Sequence, residues 1–432
     1  MEGSKLKSKN IFLNILLGIV LMIVAVILVR VFLWAPETKV QLAAIPDQEY
    51  DPAVWGKHYP LEYNSYLKNK EMAPSPTGFG GSVKDQKSLK EPEILVNFKG
   101  MAFSKDYTED RGHPYAMEDL KESKRVTPAT VGSCMTCKTP HLRDIYKDMG
   151  WKYAKTPLAE LLPRIKHPIS CANCHDPGTM KLRVLNPAFI DAMQKRGIDV
   201  VKAPRGNMRS YVCGQCHAEY YFKPDDKRVT FPWDKGLKPQ DMYAYYKDIP
   251  FGFDMDWLHP DSQAKMLKAQ HPDFELFSEG VHGRSGVSCA DCHMPYMREG
   301  GRKYSSHWLT SPMKHIQASC RTCHTQHEKW LVDRVRTVQN KVFQLQRIAG
   351  QTIARAHTVI GKAGATPDVN PSDLSQSREL IRNAQWLWDF IAAENSMGFH
   401  NPDEALNTLG QSIDLAHQAM ATANRAAGKQ YE

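Results

Sequence analysis

Cys134-Met135-Thr136-Cys137-Lys138 is the first of five related stretches in the chain. The others are Cys171-Ala172-Asn173-Cys174-His175, Cys213-Gly214-Gln215-Cys216-His217, Cys289-Ala290-Asp291-Cys292-His293 and Cys320-Arg321-Thr322-Cys323-His324. The 432 residues include ten cysteines, and these five pairs use all of them, leaving none for a disulfide or a free thiol. A C-x-x-C pair followed by histidine is the attachment pattern of a c-type haem: two thioether bonds hold the porphyrin and the histidine reaches the iron. Zinc ribbons and thioredoxin-like motifs also use C-x-x-C pairs, but neither needs a histidine at one fixed offset four times over. The pattern therefore implies five covalently bound haem c groups. It also implies a compartment outside the bacterial cytoplasm, where such haems are attached.

Working outward, all five sites fall between Cys134 and His324. That is too little peptide to isolate five porphyrins, so the haems must fill much of the core and lie close together. The formal charge is +9. Each ferric haem, with one charge at the iron core and two propionates, contributes about −1, which brings the total to roughly +4. No run of Lys and Arg suggests nucleic acid. Hydrophobic residues make up 42% of the chain, enough for a sizeable core.

Lys5, Lys7 and Lys9 precede an apolar run from Ile11 to Val29. Its length suits a membrane span of ~20 residues, and the basic flank places its start in the cytoplasm. Residues 1–35 therefore read as a membrane anchor, held by residues 10–33, that leaves the rest on the periplasmic side; a cleaved signal peptide, releasing a soluble periplasmic protein, is the alternative. Residues 36–327 form a pentahaem region. Residues 328–432 read as helical. Leu331, Val335, Val338, Val342, Leu345, Ala349 and Thr352 recur at alternating steps of four and three, a heptad seam on one long helix. A second helix is expected over about 372–395. A third opens at Asn401-Pro402, a cap followed by proline in the first turn. The seam can pack on its own chain or on a second copy, and a homodimer contact is the expectation.

Lys138 breaks the pattern. Lysine can bind iron only as the neutral amine, so the metal must depress its pKa, and an amine donates differently from an imidazole. Had the motif merely decayed, cysteines would be lost as well, and Cys134 and Cys137 are both present. Four histidine sites and one lysine site suit four carriers and one place for chemistry. Thirteen histidines remain outside the motifs to serve as opposite ligands.

With these motifs in order, and with Cys213-Gly214-Gln215-Cys216-His217-Ala218-Glu219-Tyr220-Tyr221 and Lys268-Ala269-Gln270-His271 between and after them, the chain resembles the ammonia-forming pentahaem cytochrome c nitrite reductase family. The resemblance covers about residues 50–425. It implies a mainly α multihaem cytochrome c fold, with helices round a compact five-haem cluster and long C-terminal helices. It implies six-electron reduction of nitrite to ammonium at the Lys138 haem. It places a catalytic arginine at Arg111, a tyrosine at Tyr220 and a histidine at His271. Arginine suits an anion, and the other two suit proton delivery. The resemblance further implies one calcium ion, held by the Glu219 carboxylate, the Gln270 side-chain oxygen and the carbonyls of Tyr220 and Lys268; all-oxygen ligation is what calcium takes. Simple pairing of Glu219 with Lys268 is the plainer alternative. By the same resemblance, the opposite histidines are His307 for the second haem, with His315 as competitor, His58 for the third, His400 for the fourth and His282 for the fifth. The electron donor would be a quinol-oxidising membrane multihaem cytochrome or a soluble multihaem donor. A pure electron carrier, and a reductase of hydroxylamine or sulfite, remain the rival functions.

Overall fold

The computed structural model describes residues 15–28, 45–109, 111–249 and 254–431. Residues 15–28 form a helix on their own. The ends of the apolar run from Ile11 to Val29 lie outside the described residues, and among those described no helix is long and apolar enough to cross a membrane. The remainder, Ile45–Glu432, is one compact unit.

Three long helices dominate its C-terminal part. The first, α1 (Glu328–Gly364), starts where His327 Nδ1 accepts the Trp330 N–H at 3.2 Å. The second, α2 (Pro371–Ala393), is capped by Asn370, whose Oδ1 accepts the N–H groups of Ser372 and Asp373, with proline in the first turn. The third, α3 (Pro402–Ala427), has Asn401 as cap to Glu404 N–H and ends at Gly428 with φ +64°, a left-handed stop that glycine adopts without strain. The second helix and the start of the third lie within a residue or two of the expected positions, whereas α1 contains the heptad run from Leu331 to Thr352 and continues well past it to Gly364.

The C-terminal half of helix α2, from Ala384 onward, is buried on every side. Trp386, Trp388, Phe390 and Ile391 are fully buried, as expected for a helix enclosed by others. Their indole N–H groups are satisfied: Trp386 donates to the Pro239 carbonyl at 2.8 Å and Trp388 to that of Gln346 at 3.1 Å. The α1 seam residues Leu331, Val335, Val338, Val342, Ala349 and Thr352 are buried within this chain: Val342 and Ala349 in the core that α1 shares with α2 and α3, and Leu331, Val335 and Val338 along a large internal cavity. The seam is thus occupied internally. What α1 exposes is a different set that includes Trp330 and Ile348.

Residues 45–327 are mostly short helices and turns, with three two-stranded antiparallel hairpins: Tyr221–Phe222 with Val229–Thr230, Trp257–Leu258 with Lys265–Met266, and Tyr296–Glu299 with Arg302–Ser305. One hydrophobic cluster runs from Ile94 through Phe189, Trp233 and Phe274 to Trp388 and Ala426. The regions on either side of residue 328 therefore share a core.

Candidate functional site

All ten cysteines are unpaired and all ten line one cavity of about 2330 Å³. A single small-molecule pocket occupies ~300–1,000 Å³, so this space suits several large groups in contact. The thiols give the order. Cys137 neighbours Cys216, Cys213 neighbours Cys289, and Cys292 lies beside Cys320. Cys174 is close to both Cys213 and Cys216. The third site therefore touches the first, second and fourth, and the fourth leads to the fifth.

The histidines test the fit to haem. Two imidazoles on opposite sides of one metal, each nitrogen about 2.0 Å from it, have ring centres about 6 Å apart. His175 and His307 are 6.0 Å apart, and His282 and His324 are 6.2 Å. Burial first, and then His400, push the His293 ring down to about 4, which places His400 beside the fourth site. The Nδ1 atoms of His175, His293 and His307 donate to the carbonyls of Met180, Thr310 and Ser305 at 3.0, 3.0 and 2.9 Å. This fixes the tautomer and leaves Nε2 as the bare nitrogen for a metal. The unpaired thiols and facing imidazoles fit c-type haem.

The structure departs from two sequence expectations. His58 is exposed and does not line the cavity. It follows the short helix Pro52–Gly56; Trp55 and Tyr59, four apart, take the inward face, and His58 falls outside it. Instead His113 lies 6.3 Å from His217 and lines the cavity. Arg111 is also turned away. Its Nε donates to Asp119 Oδ1 at 2.7 Å, and Nη2 meets Glu122 at 3.3 Å and Glu118 at 3.7 Å. Gly112, at φ +114°, makes the turn that sends Arg111 to these carboxylates and His113 to the cavity. Of these two arginines upstream of the first attachment site, it is Arg125 that lines the cavity. Its Nε donates to Ser123 Oγ at 3.2 Å, and its guanidinium lies 4.4 Å from the centre of the Phe103 ring. Both Cys134 and Tyr220 feel its charge. No single-sequence signal separates Arg125 from Arg111, since each is one arginine upstream of Cys134.

Lys138, Tyr220, Gln270 and His271 all line the cavity. Burial first, and then the nearby thiols, push the Tyr220 hydroxyl well above its usual value, so it holds its proton. Next to them Glu219 is fully buried. Its Oε2 accepts the Gln270 N–H at 2.5 Å and its Oε1 the Tyr246 hydroxyl at 3.3 Å. The Gln270 side-chain amide reaches the Lys268 carbonyl at 3.3 Å. Lys268 does not pair with Glu219. Its Nζ is 2.8 and 2.9 Å from the two oxygens of Asp389 on α2 and faces the rings of Phe98, Phe103 and Tyr107. Burial therefore pushes the Glu219 carboxyl far up. A buried carboxylate beside carbonyl and amide groups is a donor set that a hard divalent cation fits.

A family described as Cytochrome c552 matches residues 51–431. The chain is 42% identical over 378 residues to cytochrome c-552 of Parabacteroides distasonis, covering 85% of this chain and 75% of that one. It is 37% identical over 430 residues to the cytochrome c nitrite reductase subunit NrfA of Nitratidesulfovibrio vulgaris, covering 90% and 81%. Among solved structures it is similar to the cytochrome c nitrite reductase catalytic subunit (NrfA) of Desulfovibrio desulfuricans, described with two calcium sites. The TM-score is 0.85 and the identity 35%, over 89% of this chain and 88% of that one.

Proposed function

The chain belongs to the cytochrome c552 family, and on that footing we propose that it is an ammonia-forming cytochrome c nitrite reductase. The reaction is NO2⁻ + 6e⁻ + 8H⁺ → NH4⁺ + 2H2O. The observation that carries this reading is the surroundings of the one site that ends in lysine: Lys138 shares its cavity with Arg125, Tyr220 and His271, an anion-binding group and two proton carriers. The nitrite reductases among the relatives support it.

Haem c would be held by Cys134, Cys137 and Lys138, and by the four C-x-x-C-H sites with His307, His113, His400 and His282 as opposite ligands in motif order. Bound haem would supply electrons and, at the Lys138 site, a coordination position for the nitrogen of nitrite. Arg125 binds a nitrite oxygen through a charged hydrogen bond. Tyr220 and His271 hold protons for the oxygens that leave as water. Glu219, Gln270 and the carbonyls of Tyr220 and Lys268 would hold calcium, which keeps these two segments in register. Phe103, under the Arg125 guanidinium, orients that side chain.

Electrons would come from a quinol-oxidising membrane multihaem cytochrome or a soluble multihaem donor, on the periplasmic side. We keep the homodimer and the N-terminal anchor as parts of this proposal. The test is turnover of the purified holoprotein with nitrite and reduced viologen, with ammonium measured as product. Ammonium formed in proportion to nitrite consumed is expected. No ammonium, with five haems present, would leave an electron carrier.

A further inference from the structure

Asp273 stands between two histidines of the cavity. Its Oδ2 lies 3.3 Å from His217 Nδ1, and its Oδ1 lies 3.8 Å from His400 Nδ1. Glu394 Oε2 adds a second carboxylate 3.5 Å from the same His400 nitrogen. Both acids are buried, and Asn395 holds Asp273 in place: its backbone N–H donates to Oδ1 at 2.7 Å and its side-chain amide to Oδ2 at 2.8 Å. Asp273, Glu394 and His400 also lie close enough together to hold a metal ion, but a ring nitrogen backed by two acids needs no such ion to account for it. The contrast with the other rings carries the argument. His175, His293 and His307 each turn Nδ1 to a neutral backbone carbonyl. Asp273 draws the His217 Nδ1 proton more strongly than a carbonyl would, so the Nε2 of that ring becomes a richer donor. His400 Nδ1 makes no hydrogen bond among the described residues, and the two acids act on it through their charge. A buried negative charge at this distance also favours the more positive state of a bound metal.

We propose that Asp273 is a potential-setting residue, lowering the reduction potentials of the haems at the third and fourth attachment sites through His217 and His400. The inference rests on the pentahaem reading above and on these two histidines as axial ligands. Its place in the order matters. The third site touches the first through Cys216 and Cys137, so Asp273 acts on the carrier next to the catalytic site. A more reducing carrier there makes its one-electron transfer onward to the catalytic site more favourable.

The experiment is a spectroelectrochemical titration of the holoprotein carrying Asp273→Asn, which keeps an oxygen for the Asn395 N–H and loses the charge. Five haems should remain, and two low-spin midpoints should rise. At the wild-type midpoint the reduced-to-oxidised ratio of each should increase at least about threefold, where tenfold is 59 mV for a one-electron couple. Glu394→Gln should move one midpoint only, that of the His400 haem. Midpoints unchanged in Asp273→Asn overturn the proposal. If that variant does not retain five haems, Asp273→Ser, smaller and also uncharged, decides: two raised midpoints support the proposal and an unchanged titration overturns it. His400→Met tests the premise separately. Low-spin EPR signals that survive that change unaltered would remove the axial assignment, and the proposal with it.

Discussion

Arg125 and Arg111 differ by what surrounds them, and a pair of variants separates them. Arg125→Gln should raise the KM for nitrite by more than that for hydroxylamine, because only nitrite is an anion at neutral pH; a loss of about tenfold or more in kcat/KM for nitrite is expected. Arg111→Gln should leave both within about twofold and show itself as a modest loss of stability, because it breaks the bond to Asp119. Steady-state kinetics on both substrates, beside thermal melts, reads the two outcomes. Lys138→His should keep five haems, since both thiols remain, and should strongly lower nitrite turnover. Wild-type turnover in that variant would remove any special role for the lysine.

At the scale of elements, α2 fixes the segment Lys268–His271. Asp389 holds the Lys268 ammonium, and its Oδ2 also accepts the Ala269 N–H at 2.8 Å. Both members of the pair are buried. Asp389→Ala leaves a buried ammonium without its counter-charge and should cost about 3–5 kcal/mol in denaturant unfolding. The cation proposed for the other side of this segment would act on position more than on stability. Stripping calcium, or replacing Glu219 by Gln, should lower turnover by up to about 100-fold through displacements on the order of 1 Å, with haem content and the low-spin spectrum retained. Activity that falls only in step with the melting curve would show that the ion merely supports the fold. The caps of the three long helices were legible in the sequence because a cap is local: Asn370-Pro371 and Asn401-Pro402 satisfy the first N–H groups of their own helices. What the α1 seam meets was not legible, because a heptad pattern states that a face is buried and not against what.

Across the whole molecule, acid should unfold this protein partly through histidines far from the cavity. His259 and His357 stack at 3.7 Å, both buried. His259 Nε2–H donates to the Val96 carbonyl. His357 Nε2–H donates to Gln385 Oε1, and its Nδ1 accepts the Ser262 hydroxyl. Each ring is satisfied as the neutral form, and burial pushes His357 down to about 3 and lowers His259. Below the unfolded value of about 6.5, the unfolded chain takes up protons that the folded chain refuses. Stability is therefore complete above that pH and is lost as pH falls from about 6.5 towards 3, at up to ~1.4 kcal/mol per pH unit for each ring. Urea unfolding at several pH values should show this slope, and His357→Gln should make it shallower.

The sequence by itself made the haem-attachment pattern legible: ten cysteines in five spaced pairs, four with a histidine and one with Lys138, because a thioether site is written within five consecutive residues. The resemblance it carries pointed to Tyr220, Glu219 and the Lys268–His271 segment, each in a short string, and in the structure the Glu219 carboxylate meets the Gln270 N–H while Tyr220 and His271 line one cavity. Only the tertiary structure decided which distant side chains complete those sites. Whether Arg111 or Arg125, His58 or His113, faces the cavity depends on one glycine with positive φ, on which face of a short helix turns inward, and on nearby carboxylates that bind Arg111 first. The partners of Asp273 come from two places: His217 in a haem motif, and Asn395 and His400 in the connection between α2 and α3. No local pattern records such a meeting, because it is made by packing between segments that the chain order keeps apart.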